Sequence, residues 1–169
     1  MRRWTAVLLI LVAVPIALGA SYAGYRYVFR QTYYANAGEL PEMVREALSK
    51  SRSLRLYSLD PSIGAKDYRG FHGWTVLGEV TLEGAAATAA REAVAKGIQE
   101  SKGDGAKCFE PRHGLRAGSV DLVICFECFH VYAYQGWDRA YCVTTEAPAR
   151  VLNQLLSGAG IPLPAPSKH

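Results

Sequence analysis

Three of the four cysteines and one of the four histidines fall between Cys108 and Cys128. They lie in Cys108-Phe109-Glu110-Pro111-Arg112-His113-Gly114-Leu115-Arg116 and in Asp121-Leu122-Val123-Ile124-Cys125-Phe126-Glu127-Cys128. Thiolates and a neutral imidazole are what zinc takes as ligands, so Cys108, His113, Cys125 and Cys128 form a candidate Cys₃His set. The spacing argues against it. Two thiolates separated by two residues converge on one ion only at a tight turn. Here Phe126 and Glu127 separate them inside a strand-forming run without glycine. On a regular strand, residues three apart project to opposite faces. A thioredoxin-like redox pair fails on similar grounds, since its Cys-x-x-Cys opens a helix whose dipole lowers the first thiol's pKa.

A disulfide fits the pattern better. If the chain reverses at Ala117-Gly118-Ser119, Arg116 faces Val120 and Cys108 comes opposite Cys128. Such cross-strand neighbours sit about 4.5–5.5 Å apart at Cα, within disulfide range. A bulge at Pro111 or Gly114 shifts the register by one, toward Cys125. Buried free thiols acting as small hydrophobes are the other reading.

Arg112 and Arg116 share a face of a regular strand and could clamp a small anion. Together with His113 and Glu127 they are the candidate ligand-binding residues. The competing reading pairs the arginines with Glu110, Asp121 or Glu127. A cysteine nucleophile with His113 as base lacks an orienting acid and an oxyanion donor, so no catalytic residue is assigned. Phe71-His72-Gly73-Trp74 is a second aromatic loop with a histidine.

These residues need a frame. Pro41 to Lys50 reads as a short helix, with Leu40, Val44, Ala47 and Leu48 on its apolar side. Leu54 to Leu59 and Trp74 to Leu82 read as strands, joined by a loop rich in glycine and charge. Gly84 to Ser101 is the clearest helix, and its small-residue stripe Ala86, Ala90, Val94, Gly97 and Ile98 suits close packing. Ala106 to Ala117, Val120 to Tyr134 and Arg139 to Thr144 read as three more strands. On the second of these, Val120, Leu122, Ile124, Phe126 and Cys128 fall on one face, and Asp121, Val123, Cys125, Glu127 and Phe129 on the other. Thr145 is placed to cap a last helix from Glu146 to Ser157, and Gly158 to end it.

The expected fold is therefore α+β, an antiparallel sheet of about five strands with helices packed on one face. One N-terminal transmembrane or signal helix precedes it. Residues 1–30 form that segment, 31–53 a linker and short helix, 54–160 a single α+β domain and 161–169 a Pro-rich tail.

Arg2 and Arg3 precede an uncharged run from Trp4 to Tyr25, close to the roughly 20 residues that span a bilayer. Its most apolar part, Ala6 to Leu18, is shorter and contains Pro15, as in a signal peptide. An uncleaved anchor through residues 4–25, with the domain outside the cytoplasm, is the expectation. Secretion after cleavage near Ala20 or Ala23 is the alternative. The net charge of +4 comes without a dense basic stripe, which speaks against nucleic-acid binding.

The two motif segments above, with Phe71-His72-Gly73-Trp74-Thr75-Val76-Leu77-Gly78 and Gly160-Ile161-Pro162-Leu163, resemble an uncharacterised family of small bacterial proteins. The similarity covers roughly Leu54 to Leu163. It supports the choice of candidate site without implying a reaction. The sequence thus suggests a non-enzymatic, membrane-anchored binding or structural domain needing no cofactor, whose protein or small-anion partner it leaves unnamed. The alternative is a zinc-binding or thiol-dependent protein using the Cys/His cluster.

Overall fold

The computed structural model describes residues 32–62, 66–103, 105–106 and 108–164, with backbone alone for residues 66–68. All of these belong to one compact unit, Thr32–His169. The expected N-terminal anchor lies outside the described residues. Among those described, no helix is long and apolar enough to cross a membrane.

In chain order the elements are β1 (Thr32–Tyr34), α1 (Glu42–Lys50), β2 (Leu54–Leu59), β3 (Lys66–Phe71), β4 (Val76–Leu82) and α2 (Gly84–Gln99). Then come β5 (His113–Ala117), β6 (Val120–Cys125), β7 (His130–Gln135), β8 (Asp138–Val143) and α3 (Ala147–Gly158). Seven strands form one sheet in the order β1-β8-β7-β6-β5-β2-β4. The expected antiparallel sheet of about five strands is therefore corrected to a mixed sheet of seven. Two local facts account for the difference. The polar-aromatic stretch read as a linker supplies β1, which pairs parallel with β8 at the sheet edge. The run Val120 to Tyr134, read as one strand, is two strands folded back on each other as β6 and β7. Residues 108–112, read as strand, are instead loop, while β3 occupies what was read as loop.

The helices do pack on one face. Val44 and Leu48 of α1, Ala87, Ala90, Val94 and Ile98 of α2, and Leu152 and Leu156 of α3 are buried there. They meet Leu56, Leu115, Leu122, Ile124, Val131, Ala133 and Cys142 from the sheet. The period-2 alternation of the strands against the 3.6-residue period of the helices dictates this core. The small-residue stripe of α2 brings α3 close, since a Cβ on Gly97 would come 2.3 Å from Cγ of Pro148 and 2.7 Å from Oγ1 of Thr144. Thr145 does not cap α3 with its side chain. Glu146 occupies the cap position, and the Thr145 hydroxyl is buried without a partner among the described atoms.

The opposite face carries a second, smaller cluster of Tyr57, Leu59, Phe71 and Val123, flanked by Trp74, Phe109 and Tyr134. Its cover comes from the β3–β4 turn and from the loop ahead of β5. Ile161 and Pro162, after α3, fold back against β2 and β4. Oγ of Ser58 donates to the Pro162 carbonyl at 2.6 Å, and Ile161 lies over Gly78.

Candidate metal centre

The site begins where β6 stops. Strand alternation holds through Cys125, which points to the helix-free face while Ile124 faces the helices. Phe126–Phe129 then form a turn, and His130 opens β7. The turn contains no glycine, so side chains must define it. The ring of Phe126 packs edge-on to His113 on the helix side, centroids 5.1 Å apart. Glu127 is ion-paired with Arg112. Phe129 takes a left-handed conformation at φ 58°, and its carbonyl accepts the Thr144 N–H at 2.8 Å. Reversing the chain here returns Cys128 to the face of Cys125. The regular-strand argument that separated these two thiols fails at this turn.

Cys108 comes from the loop ahead of β5 and completes the cluster. The sulfurs of Cys108, Cys125 and Cys128 all lie within 4.8 Å of one another. All four cysteines are free thiols, so the expected Cys108–Cys128 disulfide is not formed. The register behind that expectation is also corrected. Arg116 faces Asp121 and Ala117 faces Val120, one residue away from the expected pairing. The β5–β6 ladder begins only at His113, so Cys108 has no strand partner.

The three sulfurs are not equivalent. Cys128's thiol donates to Cys125, holding the Cys125 thiol below its ordinary pKa. Burial opposes this, while the backbone N–H groups of Cys128 and Glu110 and the charge of Arg112 reinforce it. Cys128 is pushed upward, first by keeping the proton it shares with Cys125, then by burial and the neighbouring sulfurs. The cluster thus favours one thiolate at Cys125 and resists further ionisation. Aromatic rings wall the same face. Phe109 lies edge-on to Tyr132 with centroids 4.8 Å apart, and Tyr132 is 5.2 Å from Tyr141.

His113, the candidate fourth ligand of the alternative zinc set, projects to the helix side and is only 3% exposed. Its Nε2 lies 2.8 Å from Oδ1 of Asn153 on α3, and Nδ1 has no partner among the described atoms. Burial lowers its pKa to about 4, against the opposing bond to Asn153 and with help from the Arg112 charge. It is therefore a neutral core imidazole, remote from the sulfurs' face. A cavity of about 540 Å³ beside the turn is lined by Arg112, His113, Phe126, Glu127, Asn153 and Leu163, among others.

That cavity gathers three of the four candidate ligand-binding residues and leaves out Arg116. Nε and Nη2 of Arg116 donate to Asp121 at 2.6 and 2.8 Å, and His72 contacts the same carboxylate at 2.9 Å. The guanidinium groups of Arg112 and Arg116 are thus each engaged by a different acid, and no two-arginine anion clamp assembles. Sequence reasoning missed Asn153 and His130. His130 becomes visible only once the strand break at Phe126 is known, because that break sets it directly opposite Cys125.

Fold and site together define a small α+β domain carrying three converging thiols on the helix-free face of its sheet. No family model, curated protein or solved structure matches the chain, so the site is read from its own geometry.

Proposed function

We propose that this protein binds a thiophilic metal ion, with zinc as the leading candidate, through Cys108, Cys125 and Cys128. One observation carries the reading: three sulfurs, from a loop, the end of β6 and the turn after it, lie mutually within 4.8 Å. A disulfide would need only two sulfurs, and packing would need none to converge. Tetrahedral zinc with Zn–S bonds of about 2.3 Å sets sulfurs roughly 3.8 Å apart, a contraction of about an ångström at most. The backbone N–H groups directed at Cys125 support it, since amide donors stabilise a metal-bound thiolate as well as a free one. The role is binding rather than catalysis. The same proposal sets the domain outside the cytoplasm on an anchor through residues 4–25, supported by the arginines ahead of that uncharged run. There a bound ion would also shield the thiols from oxidation.

The test is metal titration of the full-length chain in detergent under reducing conditions. One zinc per chain is expected, with Cys108→Ser, Cys125→Ser and Cys128→Ser each losing it and Cys142→Ser keeping it. Failure to bind, or binding indifferent to Cys125 and Cys128, would sink the reading.

A further inference from the structure

We infer that His130 is the fourth ligand of this centre, completing the Cys₃His set that His113 cannot. The inference rests on the proposed tri-thiolate site and deepens it. His130 pairs directly with Cys125 in the β6–β7 ladder. Directly opposed residues project to the same face with Cβ atoms about 4.5–5.5 Å apart, so the imidazole stands over the sulfurs' face by construction. The ring lies against that of Tyr141, with centroids 5.2 Å apart.

Gly105, three residues ahead of Cys108, lies against this imidazole. A Cβ on Gly105 would come 2.4 Å from Nε2 of His130 and 3.2 Å from the carbonyl oxygen of Cys128. The imidazole and the Cys128 turn thus both stand against Gly105. The other histidines do not compete. His72 is held by Asp121 and stacks on Tyr134, His113 faces α3, and His169 lies outside the described residues.

His130 stands outside the group of mutually close sulfurs, so metal binding must draw it inward. Zn–N bonds of about 2.0–2.1 Å beside Zn–S bonds of about 2.3 Å require a nitrogen-to-sulfur spacing near 3.5 Å. The assignment requires that rotation about the side-chain bonds of His130 supply that movement. A closed four-coordinate site with no open position holds an ion for stability rather than presenting it to a substrate. The tri-thiolate alone would leave a position for water.

Cobalt(II) titration of the full-length chain in detergent separates the two claims, because cobalt reports tetrahedral geometry and thiolate ligation in its visible and near-ultraviolet bands. Wild type is expected to show a tetrahedral spectrum with three thiolates' charge-transfer intensity. His130→Ala should bind more than about 100-fold more weakly, beyond the usual cost of losing an outer-sphere partner, with altered ligand-field bands. His130→Cys should restore tight binding and raise the charge-transfer intensity by about one third, as a fourth thiolate joins three. An unchanged spectrum and affinity in His130→Ala, with Cys128→Ser still losing the ion, overturns the His130 assignment alone. No cobalt in the wild type, or full binding in Cys128→Ser, overturns the tri-thiolate reading and the His130 assignment with it.

Discussion

His113 makes a pH-dependent demand on the fold that can be measured directly. It is buried between β5 and α3 with its Nε2 against Asn153, and its pKa falls from 6.5 to about 4. Above pH 6.5 the imidazole is neutral in both folded and unfolded chains and adds no slope. Between 6.5 and about 4 the unfolded chain takes up a proton that the native chain refuses, so stability falls as pH falls. Below about 4 both states are protonated and the loss is complete. At roughly 1.4 kcal/mol per pKa unit the full drop is worth about 3 kcal/mol, of which about 2–3 kcal/mol is gone by pH 4.5. His113→Gln removes the titration and keeps an amide donor for Oδ1 of Asn153. Urea unfolding of the full-length chain in detergent, with chelator present, should be compared at pH 7 and pH 4.5. Carboxylates titrate alike in both proteins, so the wild type should lose about 2–3 kcal/mol more than the variant over that interval. Equal losses would mean that His113 is not a neutral buried group, and the placement of its ring against α3 would fall with it.

Two further outcomes follow from the packing. On an exposed helix Gly→Ala stabilises by up to about 1 kcal/mol, yet Gly97→Ala should cost about 1–3 kcal/mol in thermal or urea unfolding, because its Cβ would lie 2.3 Å from Cγ of Pro148. A stabilised variant would refute the close approach of α2 and α3. In metal-free protein the thiols should react with an alkylating reagent in a fixed order read by peptide mass spectrometry. Cys125 should precede Cys128, and Cys142, buried with its thiol pushed up to about 12, should stay unreacted until the chain unfolds.

Much of the frame was legible because it is periodic. Helices α1, α2 and α3 and strands β2 and β4 each carry an apolar stripe at their own period, and each lies within a few residues of where that stripe puts it. The packing role of the α2 stripe was legible too, since Gly97 and Ala90 leave little else for that face to do. What the sequence concealed lies where one element ends and another begins without Gly or Pro. Phe126 to Phe129 are two aromatics, an acid and a cysteine, all acceptable in a strand. The chain turns there because of contacts made far along it: Phe126 with His113, Glu127 with Arg112, Phe129 with Thr144. No local signal records such contacts. The same blindness hid β1, whose three residues are paired in parallel with a strand more than a hundred positions away. Reading that turn as strand put Cys128 on the opposite face from Cys125 and left His130 out of the candidate residues.

Cys142 shows what a cysteine serving only as a small hydrophobe looks like in this fold. It sits alone on β8 within the helix-side core, fully buried, paired across the ladder with Val131, its thiol driven toward the neutral form by desolvation. Cys108, Cys125 and Cys128 share none of that setting apart from the burial of the last two. They lie on the sheet face that has the smaller apolar cluster. One receives backbone N–H groups onto its sulfur, and the turn that carries Cys128 holds a non-glycine residue, Phe129, in the left-handed region. That conformation costs about 1–2 kcal/mol, which apolar packing of a thiol in the adjacent turn does not need. A chain that wanted three more packing residues could have placed them, like Cys142, on the inward positions of regular strands. Sulfurs brought together from a loop, a strand end and a turn, opposite an imidazole that pairs with Cys125, fit the proposed ion, which would gain from all of them at once.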